Sequence, residues 1–143
     1  MGFEVAVVTA IFFISALVVG TFSYTALSTS SDLVNDAAAE QYQLQTSRMH
    51  TSVNIDYSVP AASGSIYELT VTLTNTGSET LRFDELNILI DGHLEPYTFN
   101  GTAAVWVPAE TRSLTVAGLT GAGQHRVKVV TGNGVPAYDT YQV

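Results

Sequence analysis

Residues Phe3 to Leu27 read FEVAVVTAIFFISALVVGTFSYTAL, and after Glu4 no charged side chain occurs until Asp32. The hydrocarbon core of a bilayer takes about 20 apolar residues as helix, so this run is long enough to span one. Thr9, Ser15, Thr21, Ser23 and Thr25 do not spoil the helix. A hydroxyl there can bond back to a carbonyl one turn earlier, which also satisfies it inside lipid. Ala16 and Gly20 stand four apart, a small-xxx-small spacing that lets a second helix approach closely. Three uses of the run are open: a permanent membrane anchor, a pilin-like helix packed in a filament core, or a cleaved secretory signal. A signal wants a basic n-region and a shorter apolar core, and here no Lys or Arg precedes the run.

The helix does not stop where the apolar run stops. Ser28 to Ser31 leads into DLVNDAAAEQYQLQTSRMH, with three successive alanines, several Gln, and neither Pro nor Gly. These are good helix formers. The spacing predicts one helix from Phe3 to about Met49, roughly 70 Å long at 1.5 Å per residue. Half would lie in lipid and half would project as a stalk. A thin stripe at Leu27, Val34, Ala38, Tyr42 and Met49 keeps spacings near four and its multiples. Val34, Ala38 and Tyr42, with Ala16 and Gly20 below them, are the candidate helix–helix contacts. The alternative is a solvated spacer.

At Thr51 the period changes from four to two. Val53, Ile55, Tyr57 and Val59 alternate with polar residues, and Tyr67, Leu69, Val71 and Leu73 alternate with Glu68, Thr70, Thr72 and Thr74. That is strand patterning. Pro60–Gly64, Asn75–Ser78, Asp91-Gly92 and Asn100-Gly101 read as turns. Further strand segments are expected at Leu81–Phe83, Leu86–Ile90, His93–Phe99, Ala104–Val107, Ser113–Val116, Gln124–Val130 and Ala137–Val143. About eight short strands, with turn signals every eight to twelve residues, indicate an antiparallel immunoglobulin-like sandwich. The chain therefore divides into residues 1–50, a transmembrane helix with its helical stalk, and residues 51–143, an all-β domain. The expected core is Val53, Ile55, Tyr57, Leu69, Val71, Leu73, Ile88, Ile90, Trp106, Leu114, Val127 and Val129, because half of each strand faces inward.

Composition narrows the function. The 143 residues carry five Lys+Arg against thirteen Asp+Glu, a net charge of −8. Such a surface repels nucleic acid and anionic headgroups and suits a cationic partner surface. With no cysteine, there is no disulfide framework, thiolate metal site or Cys nucleophile. His50, His93 and His125 have no metal-ligand spacing, and no serine sits in a strand–turn–helix nucleophile motif. Asp84-Glu85 with Asp91 offers oxygen ligands for calcium but fits no EF-hand loop. No glycine run opens a helix to cradle phosphate. We therefore expect neither enzyme nor cofactor. Asn100-Gly101-Thr102 is an N-glycosylation sequon in a turn. Sheet edges, here Ala137–Val143 and Leu86–Ile90, can add a partner's strand. Tyr97, Tyr138 and Tyr141 are candidate interface residues, since tyrosine is favoured at interfaces.

LTNTGSETLRFDELNILIDG (Leu73–Gly92), Trp106 with Pro108, HRVKVV (His125–Val130) followed by TGNGV (Thr131–Val135), and Tyr138 complete a pattern that begins with MGF and the long helix. Taken together, the chain resembles the archaellum stator family FlaF and its sister family FlaG. The resemblance implies a non-catalytic protein anchored in the archaeal membrane, with its sandwich outside in the pseudo-periplasm. It implies binding to the S-layer protein, a FlaF/FlaG-type partner, and a homodimer or filament. Archaellins and archaeal pilins usually carry a basic residue before the prepilin peptidase site. Only Met1-Gly2 precede Phe3 here, so the helix is expected to stay unprocessed in membrane lipid. The short N-terminus and Asp32, Asp36 and Glu40 after the span put the N-terminus inside.

Overall fold

The computed structural model describes residues 2–63, 65–101 and 104–143. One helix, α1 (Gly2–His50), takes up the whole apolar run and its polar continuation. The hydroxyls inside it bond back as expected: Thr9 Oγ1 donates to the Val5 carbonyl at 2.7 Å, Ser15 Oγ to Ile11 at 2.7 Å and Thr25 Oγ1 to Thr21 at 2.8 Å. The chain forms two compact units, one reaching Gln43 and the other running from Leu44 to Val143. The last turn of α1 thus belongs to the second unit.

That unit is an immunoglobulin-like sandwich of antiparallel strands. One sheet is ordered β1 (Val53–Ser63), β2 (Ile66–Asn75), β8 (Thr111–Leu119), β6 (Thr98–Phe99). The other is ordered β10 (Pro136–Gln142), β9 (Gln124–Val130), β4 (Asn87–Ile90), β5 (His93–Glu95). A small ladder pairs β3 (Leu81–Arg82) with β7 (Val105–Trp106), and a 3-10 turn covers Phe83–Glu85. The Asp91-Gly92 turn closes β4 onto β5, with Ile90 opposite His93 and φ of 49° and 91° at the two turn residues. Positive φ at both positions is the tight hairpin turn whose twist matches that of its strands.

Nine of the twelve expected core residues are buried, from Leu69 to Val129, and Val53 and Ile55 pack partly buried against them. Tyr57 is a correction: it is 56% exposed. A bulge between Ile55 and Tyr57 inserts one residue against β2, and a one-residue slip turns a side chain to the opposite face. The expected turn at Pro60 is also corrected, since Pro60 pairs with Leu69 inside β1. As the edge of its sheet, β1 can carry a residue with no N–H to give. Gly64 of that expected turn lies outside the described residues. The segment His93–Phe99 is two strands rather than one. The chain leaves one sheet after Glu95 and enters the other at Thr98, and the backbone at Pro96 has no N–H to continue a ladder. The core also takes Phe83, which meets Trp106 edge-on at 5.1 Å and Phe99 at 5.3 Å.

Candidate interaction surface

Along α1 every described side chain is exposed except Ser47, which is half-buried. Ala16, Gly20, Val34, Ala38 and Tyr42 are all open, with Val34 at 65% and Tyr42 at 70%. The window of highest mean hydropathy, 2.5, is long and apolar enough to cross a membrane, and none of it is buried.

The second unit grips the end of the helix with two turns. Asn75, wholly buried at the end of β2, donates from Nδ2 to the Glu79 carbonyl at 2.9 Å and to the Trp106 carbonyl at 3.3 Å. Its Oδ1 accepts the Gly77 amide at 3.1 Å. The turn so fixed returns to the chain leaving α1. The Thr76 and Gly77 amides donate to the Ser52 carbonyl at 2.9 Å, and the Ser78 amide donates to the His50 carbonyl at 2.9 Å. The bond to His50 satisfies a carbonyl that the helix end leaves open, and the two to Ser52 hold the chain just past it. Gly77 is required by space, since a Cβ there would lie 2.5 Å from the His50 carbonyl oxygen and 2.6 Å from the Ser52 amide nitrogen.

The second turn, Thr131–Gly134, comes from the far side. Asn133 Nδ2 donates to Thr51 Oγ1 at 2.6 Å and to Ser47 Oγ at 3.1 Å, while Arg48 Nε donates to the Asn133 carbonyl at 2.8 Å. Thr51 is buried and bonds back to the Ser47 carbonyl at 2.8 Å. Two turns far apart in sequence thus converge on Ser47–Ser52. Asn75–Ser78 reads as a turn in the sequence, whereas Thr131–Gly134 is not among the expected turns. What the sequence does not reveal is that they share a target; the small residues at 77, 132 and 134 were the available signal.

The three tyrosines separate. Tyr138 is 61% exposed on the outer face of β10, with Lys128 Nζ 5.4 Å from its ring centre. Tyr97 packs partly buried on the core and donates to the Phe83 carbonyl at 2.8 Å, and burial raises its pKa. Tyr141 is a correction to the surface expectation: it is 5% exposed, with its hydroxyl 2.9 Å from that of Tyr67. Burial first, and the Tyr67 hydroxyl second, push its pKa well above the usual tyrosine range. Of the two expected edges, β10 is one, whereas β4 lies between β9 and β5.

His125 is no open surface residue either. It stacks on Tyr141 at 5.5 Å, and its Nδ1 donates to Asp91 Oδ2 at 2.7 Å. That bond, helped by the Arg126 amide, holds the Asp91 carboxyl below the ordinary value. Asp84 and Glu85 face Arg82 at 2.7 and 2.9 Å. The oxygen ligands that Asp84, Glu85 and Asp91 could offer are engaged by protein partners, and no metal-holding group occurs among the described residues. Asn100 follows β6 at the surface, and Thr102 of its sequon lies outside the described residues.

A family model described as archaeal-type flagellin matches residues 2–141. No curated protein matches the chain. Among solved structures, the chain is similar to the archaellum periplasmic stator protein FlaG from Sulfolobus acidocaldarius, with 18% identity and a TM-score of 0.47 over 64% of this chain and 99% of that one. It is similar to the stator protein complex of FlaF and FlaG from the same organism, with 18% identity and a TM-score of 0.45 over 62% and 87%. A CARDB domain from Pyrococcus furiosus, in complex with di-metal ions, gives 18% identity and a TM-score of 0.40 over 65% and 86%.

Proposed function

The chain belongs to the archaeal-type flagellin family, and on that premise we propose that it is a membrane-anchored structural component of the archaeal motility machinery. In this reading Phe3–Leu27 stays in the membrane with the N-terminus inside. The sandwich sits outside and holds the motor to the S-layer as a stator, beside a FlaF/FlaG-type partner. A rotating filament needs a fixed reference, and tension must pass from the anchored helix into the domain. The observation that carries the reading is the double grip on Ser47–Ser52. The chain enters the sandwich through a turn fixed by Asn75 on one side and by Asn133 on the other. A free linker would carry tension as well, but it would let the domain swivel where this grip resists it.

The second reading is a filament-forming subunit, of pilin-like or FlaG type. The family's own description favours it, and so does the open helix with Ala16 and Gly20 on its surface. Fractionating cells that make the full-length chain separates the two. A stator stays with washed membranes, and the detergent-solubilised chain retains solubilised S-layer protein. Recovery in fibres sheared from the cells, with no S-layer retained, would overturn the stator reading in favour of the filament. A mass shift at Asn100 in the same native material would establish the sequon as occupied.

A further inference from the structure

Cations are scarce in this chain, five against thirteen acids, and the structure shows where each one goes. Arg82 pairs with Asp84 and Glu85, and Arg112 with Glu110 at 2.7 Å. Arg48 gives its Nε to the Asn133 carbonyl. Arg126 and Lys128 are left without a contact ion pair among the described residues, although the Arg126 charge acts on Asp91 from further off and Lys128 lies against the Tyr138 ring. They stand two apart on β9 and share its outer face. Leu89 and Tyr138 lie opposite Lys128 on the two neighbouring strands. Together with Thr140 these residues line an open groove. The two acids at its rim are already engaged: Asp91 by His125 and the Arg126 amide, Asp139 by the Ser58 hydroxyl at 2.7 Å.

We propose that this groove is the docking surface for the acidic stripe of a second copy's stalk, Asp32, Asp36 and Glu40. The charge pitch matches. Acids four apart on a helix advance about 6 Å, and cations two apart on a strand advance about 6.6 Å. Asp32 and Asp36 can therefore meet Arg126 and Lys128 together. The flanks match as well, since Leu33, one position after Asp32, is 65% exposed, while Leu89 and Tyr138 border the cations. Within its own helix the stripe has no cation to pair with, because the first Lys or Arg of the chain is Arg48. Like charges four apart weaken a helix, so external cations relieve a cost the helix otherwise bears. This inference is independent of the S-layer reading.

Salt should act in a way that marks this geometry. Two copies of net charge −8 repel over the size of the molecule, while the proposed pairs act at contact. The Debye length falls to about 10 Å at 0.1 M salt. Screening at that level removes the long-range repulsion before it removes the contacts, so association should pass through a maximum at intermediate salt.

The test is sedimentation of the full-length chain in detergent micelles across a salt series. The wild-type chain should self-associate. The double variant Arg126→Glu/Lys128→Glu and the triple variant Asp32→Lys/Asp36→Lys/Glu40→Lys should each associate roughly tenfold more weakly alone. Mixing the two variants should restore association, because each then offers the complement of the other. Far-UV circular dichroism should be unchanged and the thermal melt should move little, since Arg126 and the three acids are exposed and half-buried Lys128 gives up only its contact with the Tyr138 ring. Three results would overturn the proposal: a wild-type chain that stays monomeric at every salt concentration, charge-reversed variants that associate like wild type, or variants that lose association without rescue on mixing. The second would place the contact on another face, such as Ala16 and Gly20, and the third would mean that groove and stripe each meet some other surface of the second copy.

Discussion

The two units of this chain treat apolar side chains in opposite ways. In α1, Phe12 is 76% exposed, Phe22 75% and Leu27 71%. In the sandwich, Leu69, Val71 and Leu73 along β2 are all at 0%. The sandwich brings its own partner surface, so its stability is a property of residues 44–143. The helix brings none, and the apolar surface of Phe3–Leu27 needs lipid or another helix to cover it. A core substitution in the sandwich should therefore read as stability. A substitution on the helix should read as partitioning or association.

The largest effect should come from Trp106→Ala. Trp106 is fully buried, meets Phe83 edge-on and donates from Nε1 to the Glu110 carbonyl at 2.8 Å. Truncating a buried tryptophan costs about 3–5 kcal/mol, a large part of the margin of a small domain. A denaturant melt should register this loss while membrane partitioning of the full chain stays the same. A variant that melts like wild type would break the contrast, by showing that the sandwich does not rely on its own core.

Much of this contrast can be read from sequence, because period alone carries it. Charge-free apolar residues up to Leu27 and good helix formers beyond specify α1, and alternation specifies β2 and β9. What sequence could not supply is where the alternation slips. Tyr57 follows Ile55 in perfect period, yet one bulged residue turns it to solvent. Tyr141 reads as a terminal surface tyrosine, yet the Tyr67 hydroxyl and the stacked His125 make a buried place for it. Phe83 reads as the end of the strand segment Leu81–Phe83, yet it is in a 3-10 turn and wholly buried beside Trp106. The candidate surface was legible in parts. Tyr138 is exposed, as its place outside the expected core implies. The cations at 126 and 128 become notable only once the partners of the other three are known.

The next effect lies within the second unit, where the chain leaves α1. Gly77→Ala puts a Cβ against backbone atoms of His50 and Ser52, and backbone cannot swing aside as a side chain would. Overpacking of this kind costs about 1–3 kcal/mol. The loss should show in the melt of residues 44–143. It should also raise hydrogen exchange at the Ser78 amide, which donates to His50. Unchanged exchange there would mean that the turn does not hold the helix end, and the proposed path for tension would lose its support.

The smallest effect is electrostatic and belongs to the sandwich alone. The hydrogen bond from His125, and secondarily the Arg126 amide, lower the Asp91 pKa from its ordinary 3.8. A carboxylate whose folded pKa lies below its unfolded one stabilises the fold at every pH above the unfolded value. That contribution fades as pH falls through the folded pKa. Stability should therefore decline from about pH 4 downward, and Asp91→Asn should remove this share of the decline. Because the Asp91 side chain is 44% exposed, solvent screens the interaction, and the step should be no more than about 1 kcal/mol. Acid titrations of wild type and Asp91→Asn, followed by the tertiary signal of buried Trp106, would measure it. Parallel curves would assign the acid sensitivity to the other lowered carboxyls, Asp84 and Glu110, which Arg82 and Arg112 hold in their charged form.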